Sequence, residues 1–267
     1  MTQPSNGIDH VLIATADLDG AAARMRQLGF AVTPRGRHIG WGTANYCIMF
    51  EQDYLELLGI IDPAAFCNNL DQRLAAQGEG LLGVAFAASD TVATHAILSG
   101  RGIAMQDPKA LSRALELPEG TVMPEFSLLH PADPAVLPAV NGFFTQHLTP
   151  ALLRRPEWVV HPNSARAIAS VTIVVDEPQS VVEAYEKIFG RAAVVPTDEM
   201  ISVHTGHHVL LFVRPDDALS LYPDLEDLPP LPAMVAMNVK VGDLAAARIV
   251  LDANGIDYHA LPGDTLR

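Results

Sequence analysis

Short apolar runs alternate with amphipathic stretches along this chain, and the same order recurs four times. Ile8-Asp9-His10-Val11-Leu12-Ile13-Ala14 leads to Asp17, an amphipathic stretch fills 21–28, and Gly29 follows. Gly83-Val84-Ala85-Phe86-Ala87 leads to Asp90, then 92–98, then Gly100 and Gly102. Val171-Thr172-Ile173-Val174-Val175 leads to Asp176, then 181–188 and Gly190. Met237-Asn238-Val239-Lys240-Val241 leads to Asp243, then 245–251 and Gly255. The apolar runs predict strands and the amphipathic stretches predict helices. The acidic residue between them can cap the helix, and the glycine can end it.

Further strands are predicted behind each helix. In the first copy they are 31–33, 46–50 and 54–60, with Glu51-Gln52-Asp53 turning between the last two. In the second they are 122–129 and 143–147, separated by a loop rich in proline and alanine at 131–140. In the third, 201–204 and 208–213 form a hairpin. The fourth copy offers 258–260 and then meets Arg267, so either this unit is incomplete or the natural chain continues. The repeating order is β-α-β-β-β.

Two polar residues interrupt the apolar strands of the first copy. Glu56 lies in Tyr54-Leu55-Glu56-Leu57-Leu58, and His10 lies in the opening strand. A carboxylate buried among leucines needs a cation, a metal or a hydrogen-bond partner. Alternation puts His10 and Leu12 on one face of their strand, and Tyr54, Glu56 and Leu58 on one face of theirs. The bland alternatives are a core histidine at His10 and an ion pair of Glu56 with Arg35 or Arg37.

Repeated β-α-β-β-β units, the first with a His on its first strand and a Glu on its last, resemble the vicinal oxygen chelate superfamily. Within it, the first two units resemble the glyoxalase-like domain family. The matching segments are Thr33-Pro34-Arg35-Gly36-Arg37-His38, Gly42-Thr43-Ala44-Asn45-Tyr46 and Tyr54-Leu55-Glu56-Leu57-Leu58-Gly59-Ile60. Phe143-Phe144-Thr145-Gln146-His147 and His161-Pro162-Asn163 continue the match, which covers 7–165; beyond that only the repeat pattern carries it. The resemblance implies an α+β fold of four βαβββ units, the last incomplete, paired into two cup-shaped sheets. It implies a divalent metal ion in the N-terminal cup, held by His10, Glu56 and either His147 or Gln146, with Glu56 also moving a proton as catalytic base. Arg35, Arg37, His38, Asn45 and Gln146 are the expected substrate contacts, the basic residues orienting an anionic substrate at the mouth.

The second wall departs from the family pattern. Aligning Asp90 with Asp17 puts Gly83 at the His10 position, and the third and fourth units put Ala169 and Ala236 there. At most one metal site is therefore expected. Three functions follow: a metal-dependent lyase, isomerase or epimerase acting on a small oxygen-rich substrate; a metal-free small-molecule binding or resistance protein; and an extradiol-type ring-cleaving dioxygenase. Gly83 weighs against the last, whose family pattern needs a His at the start of each unit in a pair.

Composition changes this picture little. The length suits two domains, expected at 1–150 and 167–267 around a proline-bearing linker at 151–166. The net charge of -14 disfavours nucleic acid. Cys47 and Cys67 make no disulfide framework, so a cytoplasmic setting is expected. The N-terminus lacks a signal-peptide core, and no apolar run suits a membrane span. The expected partner is a small-molecule substrate, with no nucleic acid and no membrane; a homodimer is allowed.

Overall fold

The computed structural model of the protein describes residues 3–225, 227–261 and 265–266. The first unit runs β1 (Ile8–Ala14), α1 (Leu18–Gln27), β2 (Gly36–His38), β3 (Thr43–Met49) and β4 (Tyr54–Ile60). After α2 (Leu70–Gln77) the second unit runs β5 (Gly80–Ala87), α3 (Thr91–Gly100), β6 (Lys109–Leu117), β7 (Gly120–Val122), β8 (Glu125–Leu129) and β9 (Gly142–His147). A short helix, α4 (Pro156–Val159), precedes the third: β10 (Ala165–Val174), α5 (Val182–Phe189), β11 (Val194–Pro196), β12 (Met200–Thr205) and β13 (His208–Val213). Next come α6 (Pro215–Leu221), β14 (Ala233–Val241) and α7 (Leu244–Ala253). β15 (Ala260–Leu261) and β16 (Thr265–Leu266) pair with each other. No helix among the described residues is long and apolar enough to cross a membrane.

The acidic residues between strand and helix cap three of the four repeats. Asp17 accepts from Gly20 N, Asp90 from Val92 N and Ala93 N, and Asp243 from Ala245 N and Ala246 N. The third repeat differs: a 3-10 turn from Pro178 opens its helix, with no side-chain cap. The strand expected at 31–33 is also different. Thr33 does pair with Cys47, N–H to carbonyl at 2.9 Å. Pro34, with no N–H to donate, ends that pairing, and β2 begins only at Gly36.

Nine strands form the first sheet, in the order β2-β3-β4-β1-β5-β9-β8-β6-β7. A further pairing of β2 with β6 joins Gly36 to Leu115, Arg37 to Ala114 and His38 to Arg113. The cup is thereby closed into a barrel. Its interior holds Cys47, Met49, Tyr54, Leu115, Leu117 and Phe126, with Leu153 and Trp158 packed on the same cluster. The other face, with Val11, Leu55, Leu57, Val84, Phe86 and Phe144, joins the helices and the second sheet in one continuous core. That second sheet has the order β11-β12-β13-β10-β14. Its α5 face belongs to this core, while Val174 and Val213 on the opposite face are covered by Ala218 of α6 and by Leu228 and Leu231. Tyr222 donates to or accepts from Thr172 at 2.8 Å there. The acidic, proline-rich stretch before β14 thus fills the concavity of the second sheet.

The stretch 151–166 is fastened to the barrel. Arg154 donates to the carbonyls of Phe50, Glu51 and Gln52. His161 accepts from Ala31 N and reaches the Met49 carbonyl, each at 2.9 Å. Deeper in the seam, Asp53 accepts from Ile168 N at 3.0 Å and holds His208 Nε2 at 2.9 Å. His208 Nδ1 accepts from Ile8 N at 3.0 Å, which fixes the proton on Nε2. Both side chains are buried. Asp53→Ala would leave a buried imidazole and the Ile168 amide without their acceptor. It is expected to lower the unfolding free energy by about 3 kcal/mol, measured by urea titration of the purified chain.

Candidate functional site

A break in strand alternation builds the site. β1 pairs with β5 with a register shift between Ile8 and His10. Regular alternation would put Asp9 on the face of Val11; the bulge instead lets both Asp9 and His10 turn toward the barrel interior while Ile8 and Val11 stay in the outer core. On β5 Ala85 stands opposite His10 and Ala87 follows on the same face, both small enough to let groups on β1 and β9 meet across it.

Five side chains then form a buried chain. His147 Nε2 lies 3.0 Å from Asp9 Oδ1, and the same oxygen lies 2.7 Å from His10 Nδ1. His10 Nε2 faces Glu56 Oε2 at 3.3 Å, and His38 Nε2 is 3.8 Å from Glu56 Oε1. Asn45 Nδ2 donates a short hydrogen bond to Oε1. His38 Nδ1 is held by Thr43 Oγ1 at 2.8 Å, and the His10 ring stacks on Tyr54 with centroids 4.4 Å apart. Arg113, cross-strand from His38, donates to Cys47 Sγ at 3.2 Å. Gly36 is required here, because a Cβ would collide with Asn45 Oδ1.

The charges are matched from within. Burial alone would pull His10 down, but its bonds to Asp9 and Glu56 outweigh it and raise the imidazole to about 9. Burial alone would push Glu56 up; the bond and charge of His10, with His38 and Arg113, bring it down to about 2. Asp9 is lowered for the same reason, burial being overcome by His147 and His10. Arg113 stays protonated although buried, with the Glu56 charge nearby and the Cys47 sulfur accepting from it. Burial lowers His38 and, with Arg113 nearby, leaves it neutral at pH 7. Two carboxylates thus meet two cations.

The residues expected from the sequence divide into three groups. His10, Glu56, His38 and Asn45 come together. His147 faces the interior but contacts Asp9 rather than Glu56. Gln146 does not face the interior: its Oε1 accepts from Thr91 N at 3.1 Å, at the start of α3. Arg37 alternates outward between the inward Gly36 and His38, and Arg35 is likewise exposed, so neither reaches the cluster. The buried cation near Glu56 is instead Arg113. Neither Asp9 nor Arg113 was anticipated, yet both carry the signal that marked Glu56, a charged residue inside an apolar strand run.

The structure does not bring the three expected ligands, His10, Glu56 and His147, to one point. Among the described residues no three His, Cys, Asp or Glu side chains are grouped as a metal site. His147 lies on the far side of Asp9, and Glu56 Oε1 is engaged by Asn45. Cross-strand from His10 stands Ala85, with no donor. Gly83 cannot be replaced by a ligand, since its Cβ would strike the Asn141 carbonyl. The Arg113 guanidinium supplies beside Glu56 the charge an ion would bring. Instead, Asn45 Oδ1, Arg113 Nε, Thr145 Oγ1 and His147 Nδ1 are buried with no hydrogen-bond partner.

The profile of the glyoxalase-like domain matches residues 8–189, and the chain belongs to that family, within the vicinal oxygen chelate superfamily. A search of curated proteins gave no significant match. Among solved structures, a hypothetical protein from Staphylococcus aureus is 14% identical with a TM-score of 0.60, over 78% of this chain and 85% of its own. A variant of 4-hydroxymandelate synthase from Streptomyces coelicolor is 16% identical with a TM-score of 0.59, over 98% of this chain and 78% of its own. A fusion of a xylose isomerase-like TIM barrel with 4-hydroxyphenylpyruvate dioxygenase is 12% identical with a TM-score of 0.58, over 98% of this chain and 41% of its own. These likenesses are likenesses of fold.

The His10–Glu56 pair makes stability depend on pH. The raised His10 contribution is fully present below its unfolded value near 6.5 and is lost as pH rises through about 9. The depressed Glu56 contribution is present above 4.5 and lost as pH falls through about 2. The unfolding free energy is therefore expected to fall by roughly 3 kcal/mol between pH 6.5 and 9.5. Glu56→Gln should flatten that slope in denaturant titrations at several pH values.

Proposed function

We propose that this chain is a metal-free small-molecule-binding member of the glyoxalase-like family, with its ligand seat in the N-terminal barrel. The observation that carries this reading is the pairing of a self-balanced charge cluster with unsatisfied polar atoms beside it. Buried polar groups are nearly always hydrogen bonded, and four that are not lie on barrel strands: Asn45 Oδ1, Arg113 Nε, Thr145 Oγ1 and His147 Nδ1. Arg113 Nε is a donor and Asn45 Oδ1 an acceptor. Both residues pack against Gly36. A small oxygen-rich molecule with an acceptor oxygen and a hydroxyl satisfies both.

The metal-dependent lyase, isomerase or epimerase suggested by the resemblance has less support. A general base works best with a pKa near the operating pH, and Glu56 at about 2 is a weak one. A metal ligand at His10 Nε2 would have to displace the proton that faces Glu56. The ring-cleaving dioxygenase would need a further imidazole where Ala85 and Gly83 stand.

The test is the metal content of protein purified without chelators, together with its thermal unfolding in the presence and absence of EDTA. Well under one equivalent of any transition metal and an unchanged Tm are expected. A stoichiometric metal whose removal lowers Tm would overturn the metal-free reading. Small hydroxy- and oxo-acids are expected to raise the Tm of the wild type and not that of Asn45→Ala.

A further inference from the structure

A cavity of about 480 Å³ lies in the seam between the two sheets, where residues of the α2 and β8–β9 regions face the start of β14. That volume is in the range of small-molecule sites, which favour such junctions. It contains none of the side chains of the charged barrel cluster. Its apolar wall is Leu81, Leu82, Leu137, Val140 and Met234. Its polar groups are few and differ in how free they are.

Arg73 is the cation of the lining. Its Nη2 donates to Asn141 Oδ1 at 3.1 Å, and Asn141 Nδ2 reaches the Leu82 carbonyl at 3.4 Å. This fixes one edge of the guanidinium and leaves further donors on a planar group suited to a carboxylate. The one acid of the lining, Glu79, has an oxygen already used: Oε1 accepts from Thr15 Oγ1 at 2.8 Å and Ala16 N at 2.6 Å. Gln106 is engaged on both sides, donating to the Pro131 carbonyl and accepting from Lys109 Nζ, each at 3.0 Å. Lys109 adds a second positive charge close to His130, whose imidazole burial lowers and keeps neutral. The His130 ring lies flat on Phe143, with centroids 5.0 Å apart and 28° between planes, and so presents a rigid plate.

We propose that this seam cavity is a binding site for a small monocarboxylate with a flat apolar body, its carboxylate on Arg73 and its body between His130 and the Leu137–Met234 wall. A phosphate or a dianion finds too few donors there, and a neutral apolar molecule gains no charge-assisted bond from Arg73. The site is separate from the barrel seat and does not rest on that reading.

The experiment titrates the full chain with benzoate and with benzamide, followed by two-dimensional NMR of the histidine rings and the Leu and Met methyl groups. Benzoate is expected to bind with shifts at His130, Leu137 and Met234, and benzamide at least about tenfold more weakly. Arg73→Gln, a half-exposed position on α2, is expected to weaken benzoate about tenfold with an unchanged unfolding midpoint. Three results would overturn the proposal: no benzoate binding at millimolar concentration, equal binding by Arg73→Gln, or shifts confined to His10, His38 and His147. Because the barrel reading is tested through metal content and Asn45→Ala, and the seam site through Arg73→Gln, the two conclusions fail separately.

Discussion

Two carboxylates inside a closed barrel are the constraint around which the N-terminal half is built. Asp9 and Glu56 are nearly inaccessible to water, and an unpaired buried charge is prohibitively costly. The local irregularities each supply part of the remedy. The bulge in β1 puts Asp9 beside His10 rather than on the opposite face. The short β2 brings His38 to Glu56 and, by pairing with β6, draws Arg113 in from the second unit. Gly36 gives Asn45 the space to reach Glu56, and the alanines of β5 let His147 touch Asp9. Closure of the sheet and neutralisation of the charges are therefore one event, since the strand pair that seals the barrel also delivers the second cation.

This arrangement also explains what could be read from the sequence and what could not. The repeat was legible because strand, acidic cap, helix and glycine are local signals, and each is set by neighbours in the chain. His10 and Glu56 were legible because a polar residue in an apolar run stands out within a few positions. Arg35 and Arg37 misled because sequence proximity to His38 says nothing about side; one residue of offset on β2 turns Arg37 outward. The Asp9 bulge and the His38–Arg113 register depend on pairing between strands far apart in the chain. No local pattern encodes either. Gln146 and His147 could be resolved only once the phase of β9 was known, with Phe144 in the outer core.

The two halves of the molecule put the same unit to different uses. In the first, the concave side of the sheet is closed over side chains from its own strands, polar at the centre and apolar toward Trp158. In the second, the sheet stays open and the chain between β13 and β14 folds back to fill it, with Tyr222 bonded to Thr172. Deep in the seam between them Asp53 serves three clients, the His208 ring directly, the Ile168 amide directly and the Ile8 amide through His208. A single carboxylate thus sets the relative position of both opening strands, β1 and β10.

Gly83 limits the chemistry that the barrel can acquire. Its α-carbon lies so close to the Asn141 carbonyl that no side chain can be added without moving the start of β9, and β9 carries Thr145 and His147. No single substitution can therefore place a ligand there, since the strand would have to shift first. The glycine closes that wall to side-chain chemistry and leaves whatever the barrel does to the polar positions of its other strands.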